Sequence, residues 1–158
     1  MSSQSADLGH HEWSAALAAA RSLSVSAVGL RSNREPVLNL IRTALRGVSD
    51  RIEALTLLGY LDSDFTLEVL PELVQVALSH RDALRVRQVL GRLSYDEAES
   101  EVPPAVWSLL AITNDDDAYR RMAELLRHLG LSAALVALLA KAAVDPDPMV
   151  REVAADFA

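Results

Sequence analysis

Val86–Leu93 reads VRQVLGRL, with apolar residues at its first, fourth, fifth and eighth positions. That spacing is i, i+3, i+4, i+7. It puts Val86, Val89, Leu90 and Leu93 on one face of an α-helix. The pattern recurs upstream as ALTLLGYL (Ala54–Leu61) and downstream as YRRMAELL (Tyr119–Leu126) and VREVAADF (Val150–Phe157). The four octets start 32, 33 and 31 residues apart. Self-similarity at such a period marks a repeat architecture. A second helical stretch precedes each octet: EPVLNLIRTALRGV (Glu35–Val48), LEVLPELVQVALSH (Leu67–His80), SEVPPAVWSLLAIT (Ser100–Thr113) and SAALVALLAKAAV (Ser132–Val144). We term the octets A helices and the intervening stretches B helices.

The punctuation agrees with this division. Asp62-Ser63-Asp64, Asn114–Asp117 and Asp145-Pro146-Asp147-Pro148 fall between helices. Asp and Ser there suit helix N-caps and the positive end of the macrodipole. Asp50 and Glu53 form a variant capping box. Pro71 and Pro104 lie 33 apart. Both are expected in the first turn of a B helix, where the missing N–H costs little; a helix starting further upstream would be bent by its proline. Gly59 and Gly91 share one octet position, which predicts close packing between helices.

Composition excludes several alternatives. The chain has 158 residues, 51% of them hydrophobic, enough for a core without staples. Aromatics are 4%, and strand-length β-branched runs are scarce. There is no cysteine, so disulfides, thiol nucleophiles and Cys-ligated metals are excluded. The reading is all-α: a right-handed α-solenoid of about four helical hairpins plus a terminal helix, stable only when its pairs stack. Residues 1–10 are expected to be a disordered tail and residues 11–158 a single domain, with clear repeats over 35–158. Trp13–Leu23 reads as a helix and residues 24–34 as a loop. The last octet has no B helix after it, so its stripe either caps the array or meets a continuation of the chain.

The residues also carry a resemblance. DPDPMVREVAADF (Asp145–Phe157), with HRDALRVRQVLGRL and LEVLPELVQVAL as weaker copies, resembles the short HEAT-like repeats of bacteria. Asp-Pro-Asp-Pro-x-Val-Arg is also similar to leucine-rich variant repeats, whose period is shorter than the one counted here. The HEAT-like resemblance covers roughly residues 35–158 and implies a fold more than a function. In HEAT-like arrays the B helices line the concave face. The resemblance therefore points to Glu68, Glu72, Gln75, Glu101 and Ser108 as partner-binding positions.

Charge narrows the partner. Fifteen Lys and Arg stand against 22 Asp and Glu, a net charge of −7. A phosphate-binding surface needs the opposite sign, so nucleic acid is not expected. The acidic residues cluster in the turns and the arginines on the A helices. The turns then serve as caps with local arginine pairs, or as an acidic ridge steering a basic protein. No basic stretch followed by a long apolar run opens the chain, and the longest unbroken apolar stretch, Ala133–Ala140, is too short to span a bilayer. No membrane contact and a cytoplasmic location are the expectation.

No constellation of catalytic residues stands out. His10 and His11 are adjacent and cannot face one site on a helix. His80 and His128 fall at helix ends, where imidazole suits the dipole. No GxSxG and no glycine-rich phosphate loop occurs. Trp107 aligns with Val74 and reads as core. The function expected is a non-catalytic protein-interaction module, a scaffold, adaptor or immunity-type inhibitor, without cofactor or metal. The alternative is a HEAT-like enzyme resembling bilin lyases, which need a roomy apolar pocket, or DNA glycosylases, which need a cationic groove.

Overall fold

Alanine- and leucine-rich stretches separated by Asp, Ser and Gly become ten helices, with no strand among the described residues. The structure is a computed structural model. It describes the backbone of residues 2–157, and the side chains of residues 13–157 apart from Ser24. The helices are α1 (Ser2–Ser32), α2 (Arg34–Arg46), α3 (Arg51–Leu58), α4 (Ser63–Glu68), α5 (Leu70–Val76), α6 (Ala83–Leu90), α7 (Tyr95–Leu110), α8 (Asp116–His128), α9 (Ser132–Ala143) and α10 (Pro148–Asp156). Contacts group the chain into two compact units, Met1–Val37 and Leu38–Ala158, a division inside the 11–158 stretch read from the sequence as one domain.

The first unit is mostly α1. Helix runs through residues 24–32, where SVSAVGLRS reads as a loop. Only Asn33 breaks it, before α2 begins. The expected tail over 1–10, with His10 and the adjoining His11, falls in the opening turns of α1, whose side chains lie outside the described residues. Trp13–Ser32 has a mean hydropathy of 1.2 and is 6% buried. By length and composition alone this helix passes for a membrane-crossing segment, a test that core helices and signal sequences also pass. Arg21 interrupts the run without bringing the window average below that of a span.

In the second unit the octet face is the core. Val86, Val89, Leu90 and Leu93 are buried, as are Tyr119, Met122, Ala123 and Leu126. Ala54, Leu58 and Leu61 are buried in the first octet, and Val150 and Val153 in the last. Phe65, Leu73, Val74, Val102, Val106 and Leu138 come from the intervening helices to meet them. At about 25 cal/mol per Å2 of apolar area removed from water, each such Leu or Val contributes about 1.5–3 kcal/mol. The A helices touch in chain order: α3 packs on α6, α6 on α8, and α8 on α10. Helix α5 packs on α6 and α7, and α9 on α8 and α10.

Polar side chains repeat this order. Arg51 binds Asp82, 31 residues on, at 3.0 Å; Ser63 donates to Glu97, 34 residues on; and Arg120 binds Asp156, 36 residues on. Arg87 and Arg121 share the Glu124 carboxylate, and Arg121 also reaches His80 Nδ1. Asp156 raises the pKa of Arg120 by accepting its hydrogen bond.

The caps follow the sequence in part. Asp115 accepts from the Ala118 N–H and Asp147 from the Met149 N–H. Asp50 and Asp62 hold N-cap positions without a side-chain capping hydrogen bond to their own helices, so the Asp50–Glu53 box does not form. The box that does form is Ser94–Glu97, at the start of α7. It begins α7 eight residues ahead of Pro103, so Pro103 and Pro104 are interior. They withdraw the donors that would meet the carbonyls of Glu99 and Ser100. Pro71 keeps its expected first-turn place in α5. Gly59 and Gly91 cap the C-termini of α3 and α6. A Cβ there would meet a carbonyl of the glycine's own preceding turn (Thr56 and Arg87), not a neighbouring helix. Gly130 has φ 71° in a Schellman turn, in which the Leu131 N–H donates to Leu126 and the Gly130 N–H to Arg127.

Candidate functional site

The B stretch of the second repeat is two helices, α4 and α5, because Val69 leaves helical geometry just before Leu70-Pro71. Glu68 ends α4, and Glu72 and Gln75 stand on α5. Glu68 and Glu72 meet arginines of α2. Arg42 donates to the Glu68 backbone carbonyl at 3.0 Å and pairs with its carboxylate at 3.4 Å. Arg46 pairs with Glu72 at 2.6 Å. The Glu72 side chain is only 10% exposed, so the pair holds it in one orientation. Gln75 is exposed.

Glu72 and Gln75 line one open groove of about 410 Å3 between α2 and α5, with Leu45, Arg46, Pro71 and Val76. Arg51 enters from α3, held by the Leu45 carbonyl and by Asp82. Buried Leu45 and Val76 make an apolar floor, and charged heads make the rim. That anatomy suits recognition of a side chain with an apolar stem and a polar tip.

Glu101 and Ser108 lie elsewhere, on α7. Glu101 accepts from the Ser100 hydroxyl, and the Ser108 hydroxyl donates to the Pro104 carbonyl, filling an acceptor near the proline gap. The five expected residues therefore divide: Glu72 and Gln75 share a groove, Glu68 pairs with Arg42 and does not line it, and Glu101 and Ser108 stand apart on α7. The arginines that neutralise Glu68 and Glu72 are 26 residues away, a pairing that helical periodicity does not display.

Trp107 is half-buried, not core. It borders a cavity of about 240 Å3 with Glu99, Pro103 and Leu131, and Lys141 Nζ sits 5.6 Å from its ring. Sequence reasoning did not single out the groove of about 500 Å3 between α3 and α6, lined by Leu55, Thr56, Gly59, Tyr60, Arg85, Gln88, Val89 and Arg92. Its signal was present as the i, i+3, i+7 run Arg85, Gln88, Arg92, the polar complement of the octet's apolar face. Among the described residues no group of three or more His, Asp or Glu is placed to hold a metal ion. Neither a protein-family model nor a curated protein nor a solved structure matches this chain.

Proposed function

We propose that residues 38–158 are a short α-solenoid of HEAT-like repeats acting as a non-catalytic protein-binding module. Contacts between A helices in chain order and side-chain bridges 31 to 37 residues long support the repeat reading, since both join each unit to the next. The observation that carries the binding reading is the groove between α2 and α5. It is preformed, apolar below, and rimmed by Glu72 and Gln75 on a rigid helix. A preformed surface loses little conformational freedom on association. The partner is a protein with a basic segment. The second unit carries twelve Lys and Arg against nineteen Asp and Glu, and this field attracts a cation before contact. Within the groove the Glu72–Arg46 pair can open to exchange Arg46 for a partner's guanidinium.

Affinity capture from the native lysate with wild type and Gln75→Trp tests this. The expected result is one stoichiometric, basic protein retained by wild type and lost from the variant, with both baits melting alike. Equal retention of every captured protein by the two baits, or loss of an acidic protein alone from the variant, overturns it.

A further inference from the structure

The groove between α3 and α6 carries charge of the opposite sign from the chain as a whole. Most arginines of the second unit are engaged: Arg42, Arg46, Arg51, Arg87, Arg120 and Arg121 have carboxylate partners. Arg151 binds the carbonyls of Asp145 and Pro146, and Arg127 stacks over Phe157. Arg85 and Arg92 line the groove, are exposed, and have no hydrogen-bond or ion-pair partner among the described residues. Arg92 also borders the adjoining groove with Asp62 and Glu97. The Glu97 carboxylate there is already taken by Ser94 and Ser63.

Arg85 stands on α6, and Arg92 follows seven residues on, just past the Gly91 cap that ends the helix. Gln88 lies between them on the same face. Across the groove the phenol of Tyr60 is 57% exposed. A peptide helix presenting two carboxylates about two turns apart can offer one to each guanidinium, and an apolar residue between them would rest on Tyr60. We infer that the α3–α6 groove docks an acidic helical segment of a protein, through paired contacts of its carboxylates with Arg85 and Arg92. This surface is separate from the α2–α5 groove and does not depend on what binds there.

A 15N-labelled protein titrated with a helical peptide carrying glutamates seven residues apart, and with its glutamine counterpart, tests the inference. Saturable binding of the glutamate peptide is expected, with shifts concentrated at Thr56, Gly59, Tyr60 and Gln88 and an affinity that falls as salt is raised. Arg85→Glu/Arg92→Glu should weaken it at least about ten-fold. Arg85→Gln/Arg92→Gln, a milder change at exposed sites, should weaken it in the same direction. Gln75→Trp should leave it unchanged. The inference is overturned if wild type shows no saturable binding, if the glutamine peptide binds equally, if the charge-reversed variant keeps its affinity, or if inorganic diphosphate competes at lower concentration than the peptide.

Discussion

Asp82→Ala is the substitution that most sharply probes how one repeat is joined to the next. Asp82 is 4% exposed and receives the Arg51 guanidinium at 3.0 Å and the Ser79 hydroxyl at 3.3 Å. Removing one partner of a buried pair costs about 3–5 kcal/mol, because the other charge stays buried without compensation. A fully exposed pair is worth about 0–1 kcal/mol. Arg51 lies between these limits: its side chain is 18% exposed, and its Nε keeps the Leu45 carbonyl. The variant should therefore lose about 2–3 kcal/mol. For a unit of this length that lowers the melting temperature by about 6–12 °C. Urea titration followed by circular dichroism at 222 nm measures it. Arg51→Met/Asp82→Ala should be less destabilised than the sum of its single variants, by about 1–2 kcal/mol, since the stranded charge is gone. A loss below about 0.5 kcal/mol in Asp82→Ala, or an additive cycle, would refute the view that this bridge ties α3 to α6.

Three further outcomes can be measured on the same protein. Tyr119→Phe should be neutral or stabilising by up to about 1 kcal/mol, because the Tyr119 hydroxyl is buried without a hydrogen-bond partner among the described residues; calorimetry showing a loss would reveal a partner. Gly130→Ala should cost about 1 kcal/mol in the same melts, since φ of 71° strains any residue with a Cβ. Glu97 is held below the ordinary glutamate value of 4.5 by the Ser94 backbone N–H, then by the hydroxyls of Ser94 and Ser63. The folded state thus favours the ionised form, so this stabilisation is present above 4.5 and is lost as pH falls through the lower folded value. Glu97→Gln should accordingly be less stable than wild type at neutral pH, and the gap should narrow in acid; a gap independent of pH would contradict it.

Much of the second unit was legible because its signal is local. An apolar residue at octet positions one, four, five and eight is a statement about 3.6 residues per turn, and burial follows it at Val86, Val89, Leu90 and Leu93 and again at Tyr119 to Leu126. The caps at Asp115 and Asp147 were legible for the same reason. Helix α7 was not placed correctly, because Pro103-Pro104 looks like a helix start while the capping box at Ser94 lies nine residues before the first of them. Two prolines in an interior are affordable only when neighbouring packing, here through Val102 and Val106, holds the helix. Residues 24–34 read as a loop because Ser and Gly disfavour helix, yet α1 continues to Ser32 and Asn33 alone separates it from α2. The site was harder to read, since Glu68 and Glu72 look like free acids until the fold brings Arg42 and Arg46 to them from 26 residues away. The α3–α6 groove depends on two helices 32 residues apart in sequence lying side by side, which periodicity suggests and cannot locate.

The order of the A helices is the claim on which the rest depends, and the absence of cysteine makes it directly measurable. Thr56, Gln88 and Glu152 occupy the same octet position in the first, second and fourth octets, and all three are exposed. With successive packed helices about 10 Å apart, spin labels on Cys pairs should lie about 20 Å apart for 88/152 and about 30 Å for 56/152 by pulsed electron paramagnetic resonance. A 56/152 distance equal to or shorter than the 88/152 distance would mean that the helices close around a common centre, contradicting a linear array.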